Sequence, residues 1–348
     1  VVTRVLVTGS SGMLGGNLVR RLRADGAEVV GVDLNPPREP VAGVTEVRGD
    51  IRDPALLDRA VDGVDAVVHC AAALPSYSDD EIRSVIVDGT RNVLRASRDR
   101  AVPRVVHISS TAVYGLPDVV PTTESYPRSP VDAYSRAKAA AEEVCETFRG
   151  DGLCVAMLRP KTFLGPGRMG LFAMLFEWAA EGHNFPVLGR GDVRIQMFGV
   201  GDLVDAVVTT LGADPAIAND TYNLGAADFG TIREDFQCVL DAAGHGKRVV
   251  SLPAKPALAV LGTLQRYKLS PVYGRLLHKL MADSYVSIDK ARERLGFVPR
   301  LSNRQAILDT YRWWCTQRGP VRKPSAGAGR TSRDPWNQGA LSLVKALF

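Results

Sequence analysis

The segment "VLVTGSSGMLGGNLVRRL", beginning at Val5, constrains this chain more than any other. A β-rich apolar stretch runs through a glycine turn into apolar residues at helical spacing. Gly9, Gly12 and Gly15 stand in a GxxGxxG arrangement. In a strand–turn–helix unit of this kind the first glycine permits the tight turn. The second lets backbone N–H groups approach a pyrophosphate, and the third lets helix pack closely on strand. The start of the helix adds partial positive charge, so Ser11, Met13 and Leu14 join the glycines as candidate cofactor-binding residues.

The next apolar run, "VVGVDLN", places Asp33 eighteen residues after Gly15. A carboxylate there accepts hydrogen bonds from the adenosine ribose hydroxyls and repels a 2′-phosphate, which favours NAD over NADP. Arg38, slightly beyond, softens that preference. The alternative for Asp33 is a polar residue that merely starts a loop, and the glycine motif upstream weighs against it.

Further apolar runs follow in "VTEVRGD", "DAVVHCAA", "RVVHISS" and "LCVAMLRP", with helical patterns between them at Asp80–Arg98 and Ala133–Phe148. Continuous Val/Ile/Leu runs are the mark of strands buried on both faces. Their alternation with helices predicts an α/β fold, a doubly wound Rossmann-type parallel sheet. After Arg159–Pro160 the pattern breaks into Gly- and Pro-rich loops, isolated helices and short strands. The expected organisation is an NAD-binding domain at 1–165, with strands returning to it from about 193–225. A smaller, mixed, mainly substrate-binding region follows at 166–316, then a basic flexible tail at 317–348 with a short amphipathic end.

Composition narrows the function classes. The 348 residues are 45% hydrophobic and 23% charged, as in an ordinary soluble globular protein. No apolar run reaches the roughly 18 residues that cross a bilayer, and the glycine motif lies too early to leave room for a signal peptide. Five cysteines without CxxC spacing fit reduced thiols in the cytoplasm and imply neither a disulfide framework nor a metal site. Much of the +5 charge collects in the tail and reads as a solvated basic segment, so no nucleic-acid partner is expected.

One helix carries a candidate reaction. In "DAYSRAKAAAEE", Tyr134 and Lys138 lie four residues apart and share a face. Alone, that spacing is common on ordinary exposed helices. Ordered motifs elsewhere change its weight: "TGSSGMLG", "VDLN", "GDIRD", "VVHCAAA", "VDGTRNVL", "VVHISSTAVYG", "YSRAK", "LRPKTFLGPG", "VGDLVDAV", "YNLG" and "DKARERLGFVP". Over roughly residues 3–315 the chain resembles the extended short-chain dehydrogenase/reductase superfamily, in its NAD-dependent epimerase/dehydratase branch.

That resemblance implies a set of positions. Asp50 and Ile51 would border the adenine, Ala71, Ala72 and Ala73 would line the middle of the cofactor, and Pro160 and Thr162 would flank the nicotinamide. Ser110 would join Tyr134 and Lys138 as the catalytic set, with Thr111 beside it at the substrate. Tyrosine is a poor base at its ordinary pKa of about 10, and a nearby ammonium favours its phenolate. Arg194, and more weakly Arg168, would contact a substrate diphosphate; a surface charge is the alternative for each. The small or apolar neighbours of His69 and Cys70 assign those two to packing.

The resemblance also narrows the reaction. Sugar dehydratases of this branch follow the catalytic serine or threonine with an Asp–Glu pair, whereas Thr111 and Ala112 stand here. The expected function is an NAD-dependent nucleotide-sugar epimerase, at C4 through a transient 4-keto sugar. Two features depart from the sugar enzymes: Ile86 stands where an asparagine is usual, and the spacing from Arg194 to "VGDL" is one residue longer, which resembles 3β-hydroxysteroid dehydrogenase-like relatives as much. The apolar stretch "PAKPALAVLGTLQRYKLSPVYGRLLHKLM" points the same way. The alternative is therefore an NAD-dependent dehydrogenase or ketoreductase on a hydrophobic secondary alcohol; a non-catalytic NAD-binding regulator ranks third. A homodimer through the Tyr/Lys helix and the one before it is also implied, with Val144 and Phe148 available for packing between subunits or within one.

Overall fold

Along each central strand, alternate apolar residues go to opposite faces of one sheet, as a two-residue side-chain period requires. The computed structural model describes residues 2–167, 172–254, 256, 281–317 and 345. Its strands are β1 (Arg4–Thr8), β2 (Glu28–Asp33), β3 (Val44–Arg48), β4 (Ala66–His69), β5 (Val105–Ile108), β6 (Val155–Pro160), β7 (Phe163–Leu164), β8 (Phe185–Leu188), β9 (Phe198–Gly199), β10 (Thr221–Leu224) and β11 (Val249–Leu252). Seven form one parallel sheet in the order β10-β6-β5-β4-β1-β2-β3. The order reverses between β1 and β4, and in such sheets ligands bind at the carboxyl ends beside that reversal.

Helices α1 (Met13–Ala24), α2 (Pro54–Ala60), α3 (Asp79–Arg83), α4 (Gly89–Asp99), α5 (Ala133–Gly150), α6 (Phe172–Ala180), α7 (Val200–Gly212), α8 (Pro215–Ala218), α9 (Ile232–Ala243), α10 (Asp289–Leu295) and α11 (Asn303–Thr316) surround the strands. Val5, Val7, Val68, Val106 and Leu158 pack with Leu14, Leu18, Leu203 and Val207 of α1 and α7. Their neighbours Leu6, Val67, Val105, Val155 and Met157 face the other way, onto Leu57, Leu94 and Cys145 of α2, α4 and α5. Phe148 joins that second core, so it packs within the subunit.

Of the span 193–225, Thr221–Leu224 enters the large sheet beside β6, whereas Phe198–Gly199 pairs with β7. A separate core gathers Phe176, Trp178, Phe185, Phe236, Leu240, Ile307 and Tyr311 from α6, β8, α9 and α11. Most of the apolar stretch after Leu252 and nearly all of the basic tail lie outside the described residues. Lys345 is described, and its Nζ meets Glu177 Oε1 at 3.1 Å and pairs with Glu181.

A buried charge network joins α5 to the sheet. Glu142 is fully buried, and Arg159 of β6 donates to both its oxygens, from Nε at 2.8 Å and Nη2 at 2.7 Å. The Ser109 hydroxyl donates to Glu142 Oε1 at 2.6 Å. The same guanidinium donates to Tyr114 Oη at 2.8 Å, and that hydroxyl donates on to Asn223 Oδ1 of β10 at 2.8 Å. Arg128 Nη1 makes a longer contact to Glu142 Oε2 at 3.4 Å, so removing the close partner leaves the buried charge poorly compensated, a loss of up to about 3–5 kcal/mol. Arg159→Leu is expected to lose roughly that much in urea unfolding at neutral pH. Arg159→Leu combined with Glu142→Met is expected to recover most of the loss.

Candidate active site

The glycine turn closes because two positions lack a side chain. A Cβ on Gly15 would stand 2.0 Å from the Gly9 carbonyl oxygen. Gly9, at φ +70°, passes so near β4 that a Cβ would meet the Ala71 nitrogen at 2.8 Å. This close approach brings the glycine loop and the Ala71–Ala73 segment together at the reversal point of the sheet. The loop is tied to β2 as well. Gly9 N donates to Val32 O at 2.8 Å, and Ser11 N donates to Asp33 Oδ2 at 3.0 Å. Gly49 N donates to Asp33 O at 2.9 Å, which brings Asp50 beside the end of β2.

Asp50 receives the Arg52 guanidinium, whose hydrogen bonds hold its carboxyl below the ordinary range. Ile51 is buried among Leu56, Leu57 and Val93. Met13 and Leu14 sit in the core under the loop, with Met13 Cε 3.7 Å from where a Gly165 Cβ would be.

The β5 and β6 ends supply the remaining candidates. Ser110 caps the short turn Thr111–Tyr114, its Oγ accepting from Ala112 N at 3.1 Å. Among the described residues its hydroxyl proton goes to no partner. Thr111 Oγ1 donates to the Pro160 carbonyl at 3.4 Å, which joins the serine turn to the end of β6. Thr162 is exposed two residues on. Asp132 caps α5 by accepting from Ser135 N at 2.7 Å, while Ser135 Oγ accepts from Asp132 N at 3.0 Å. This reciprocal cap sets Tyr134 in the first turn, packed against the cluster that holds Ala73, Ile82 and Ile86.

One turn on, Lys138 is 3% exposed and its Nζ donates to Ile108 O at 2.8 Å, two residues before Ser110. Tyr134, Lys138 and Glu142 therefore form one stripe of α5 at four-residue spacing, and the two charged members are buried against β5 and β6. Burial pulls the Lys138 ammonium down to about 8.

His69 does more than pack. Across the sheet Thr8, His69 and His107 lie in one register row. His69 Nδ1 is 2.7 Å from Thr8 Oγ1, and its Nε2 is 3.0 Å from Thr90 Oγ1, which donates to Ile86 O at 2.5 Å. With the Thr90 proton on Ile86, the consistent arrangement has Nε2–H donating to Thr90 and Nδ1 accepting from Thr8. Ile86 belongs to the π turn Ser84–Asp88 and Thr90 to the first turn of α4. Burial holds His69 at about 3, hence neutral, and lifts the Cys70 thiol to about 12.

Beside the serine turn a small cleft is lined by Thr111, Tyr114, Lys161, Ser284, Tyr285 and Val286. Lys161, which the motifs did not single out, is buried and its Nζ donates to Ser284 O and Oγ, both at 2.9 Å. Arg194 is exposed, with its Cζ 4.8 Å from the Phe229 ring centre and 5.2 Å from that of Tyr285. Arg168 lies outside the described residues. Among the described residues no cluster of His, Cys, Asp and Glu is built to hold a metal, and no helix is long and apolar enough to cross a membrane.

Residues 5–225 match the NAD dependent epimerase/dehydratase family. The chain belongs to that family. It is 30% identical to the 3 beta-hydroxysteroid dehydrogenase/Delta 5-->4-isomerase of Mycobacterium tuberculosis over 332 residues, 88% of this chain and 89% of that protein. It is equally 30% identical to the UDP-glucose 4-epimerase of Mycolicibacterium smegmatis over 328 residues, 88% of this chain and 97% of the other. The solved structure of MoeE5 in complex with UDP-glucuronic acid and NAD superposes with a TM-score of 0.73 at 26% identity, covering 90% of this chain and 99% of that one. The family's cofactor is NAD. The tight glycine turn, which closes against β4 and α1 only without side chains, and the Asp33 carboxylate that accepts from Ser11 N beside it fit that molecule.

The Lys138 shift has a measurable consequence. Between about 8 and its ordinary 10.5 the folded protein binds fewer protons at this group than the unfolded chain. Stability therefore rises with pH through that window. Relative to Lys138→Met, the unfolding free energy of the parent is expected to climb by roughly 2–3 kcal/mol between pH 7 and pH 10 in urea titrations. Parallel curves for the two proteins would contradict it.

Proposed function

We propose that this protein is an NAD-dependent nucleotide-sugar epimerase that inverts a hydroxyl-bearing carbon, C4, through a transient keto sugar. The observation that carries the anionic substrate is Arg194. Its guanidinium is exposed, rests on two aromatic rings and has no carboxylate within ion-pair distance among the described residues. Glu234 feels it only as the weakest of several influences. A guanidinium with its N–H edges uncommitted matches the paired oxygens of a diphosphate.

Bound NAD supplies the hydride acceptor and donor. The chain supplies the proton chemistry and the orientation. Tyr134 Oη takes the substrate hydroxyl proton as that carbon's hydrogen departs with its electron pair, and gives the proton back when hydrogen returns to the opposite face. The Lys138 ammonium favours the phenolate that this requires. Ser110 Oγ, its proton uncommitted, donates to the substrate oxygen and orients it.

Thr111 and Ala112 offer no carboxylate for eliminating water, and carboxylates on adjoining elements are engaged. Glu142 is closed by Arg159 and Ser109, and Glu124 Oε1 accepts from Asn223 N at 2.8 Å. Redox at one carbon is what remains. The same reading includes a homodimer pairing through α4 and α5.

A second reading, an NAD-dependent dehydrogenase on a hydrophobic secondary alcohol, is favoured by the equal similarity to the mycobacterial hydroxysteroid enzyme. The two separate in one experiment. Protein supplied with NAD is incubated with UDP- and dTDP-hexoses and, separately, with hydroxysteroids, following NADH absorbance and product stereochemistry by NMR. The epimerase converts a hexose to its C4 epimer with no net NADH. Tyr134→Phe is expected to slow that conversion roughly 10²–10⁴-fold. Stoichiometric NADH from a steroid alcohol, with the nucleotide sugars untouched, would overturn the epimerase.

A further inference from the structure

Arg194, a long cationic side chain at the surface, is held against two aromatic rings. The Phe229 and Tyr285 ring centres lie 5.3 Å apart with planes tilted by 46°. With Arg194 Cζ at 4.8 and 5.2 Å from them, the three form a nearly equilateral triangle. The guanidinium thus rests in a notch between two touching rings and is not clamped between parallel faces. Contact with ring faces attracts the cation through the aromatic quadrupole and leaves its in-plane N–H donors unused.

The rings themselves are fixed. Arg194 N donates to Asp283 Oδ1 at 2.8 Å, and Ser284 N donates to Arg194 O at 2.8 Å, so the Asp283 side chain and the Ser284 main chain together hold the two segments side by side. Tyr285 O accepts from Thr122 N at 3.1 Å, and Ser284 is gripped by the buried Lys161 at the end of β6. Phe229 precedes Thr231, which bridges Arg194. The notch is therefore connected through Ser284 and Lys161 to the strand end that carries Pro160 and Thr162.

The geometry points to Tyr285 and Phe229 as positioning residues that hold Arg194 ready for the diphosphate of the substrate. Neither ring needs to touch the reacting carbon. They remove the rotamer entropy that a free arginine would lose on binding. This inference rests on the nucleotide-sugar reading, and it adds how the anion is recognised: a pair of phosphates is preferred to one.

Calorimetric titration of the NAD-loaded protein with UDP, dTDP and UMP tests it. The parent is expected to bind UDP and dTDP alike and to bind UMP more weakly. Arg194→Gln should abolish the preference for diphosphate. Tyr285→Leu and Phe229→Leu should each weaken UDP about tenfold and narrow the UDP-to-UMP ratio. Tyr285→Phe, which keeps the ring, should stay within twofold of the parent, and NAD affinity should be unchanged in all four variants. With a turnover assay, the leucine variants should raise KM while leaving kcat nearly intact.

If the leucine variants bind UDP like the parent while Arg194→Gln does not, the rings do not position the arginine and this inference alone falls. Loss of NAD and UDP binding together in the leucine variants would mark the rings as structural and also overturn it. If the parent binds neither UDP nor dTDP, the nucleotide-sugar reading falls and takes this inference with it.

Discussion

The closure of Glu142 by Arg159 is the interaction on which the candidate site depends. A carboxylate with no exposed surface is tolerable only if its charge is met and its lone pairs are filled. Arg159 and Ser109 do both. Because Glu142 lies one turn beyond Lys138 and two beyond Tyr134, seating it fixes the rotation of α5 and the depth of the two candidate catalytic residues. Ser109 is also the neighbour of Ser110, so one buried network reaches the elements carrying all three members of the set. The pair specifies geometry at a substantial desolvation cost, and the hydrogen bonds around it make that cost bearable.

A second constraint is the close passage of chain past chain at the sheet's reversal. Gly9 and Gly15 allow loop, helix and β4 to approach within distances that any side chain would forbid. That approach aligns the glycine turn, Asp33 and Ala71 along one crevice. The neutral row of Thr8, His69 and Thr90 lies beneath it. Thr8, His69 and Thr90 satisfy one another there, which holds β1, β4 and the start of α4 in register. His69 thus ties elements together by hydrogen bonding, which its apolar neighbours in the sequence conceal.

Much of this was legible in the residues. Continuous apolar runs alternating with helical patterns mark five strands of the large sheet, because burial on both faces leaves a compositional trace; β3, at the edge with Thr45, Glu46 and Arg48 exposed, is legible only from its place in the alternation. The glycine spacing and Asp33 were readable for a related reason: backbone geometry at a phosphate turn admits few residue types. Tyr134 and Lys138 were visible through a local helical period. The sequence leaves Phe148 open between its own core and a partner, since an apolar residue on a helix reads the same in both. The seventh strand, Thr221–Leu224, is legible only within a broad returning span. Its pairing with β6 is a contact between distant segments that no local pattern encodes.

The sequence by itself determined the α/β class, the dinucleotide turn and a tyrosine–lysine pair on one helical face, all set by short-range periodicity and steric demands. Only the tertiary structure decided that Lys138 is buried onto the Ile108 carbonyl, that Glu142 is met by Arg159, and that Arg194 rests on Phe229 and Tyr285. Those facts join residues from separate elements. Charge burial and ring contact are properties of the space the folded chain encloses, and become definite when the sheet and its covering helices come together.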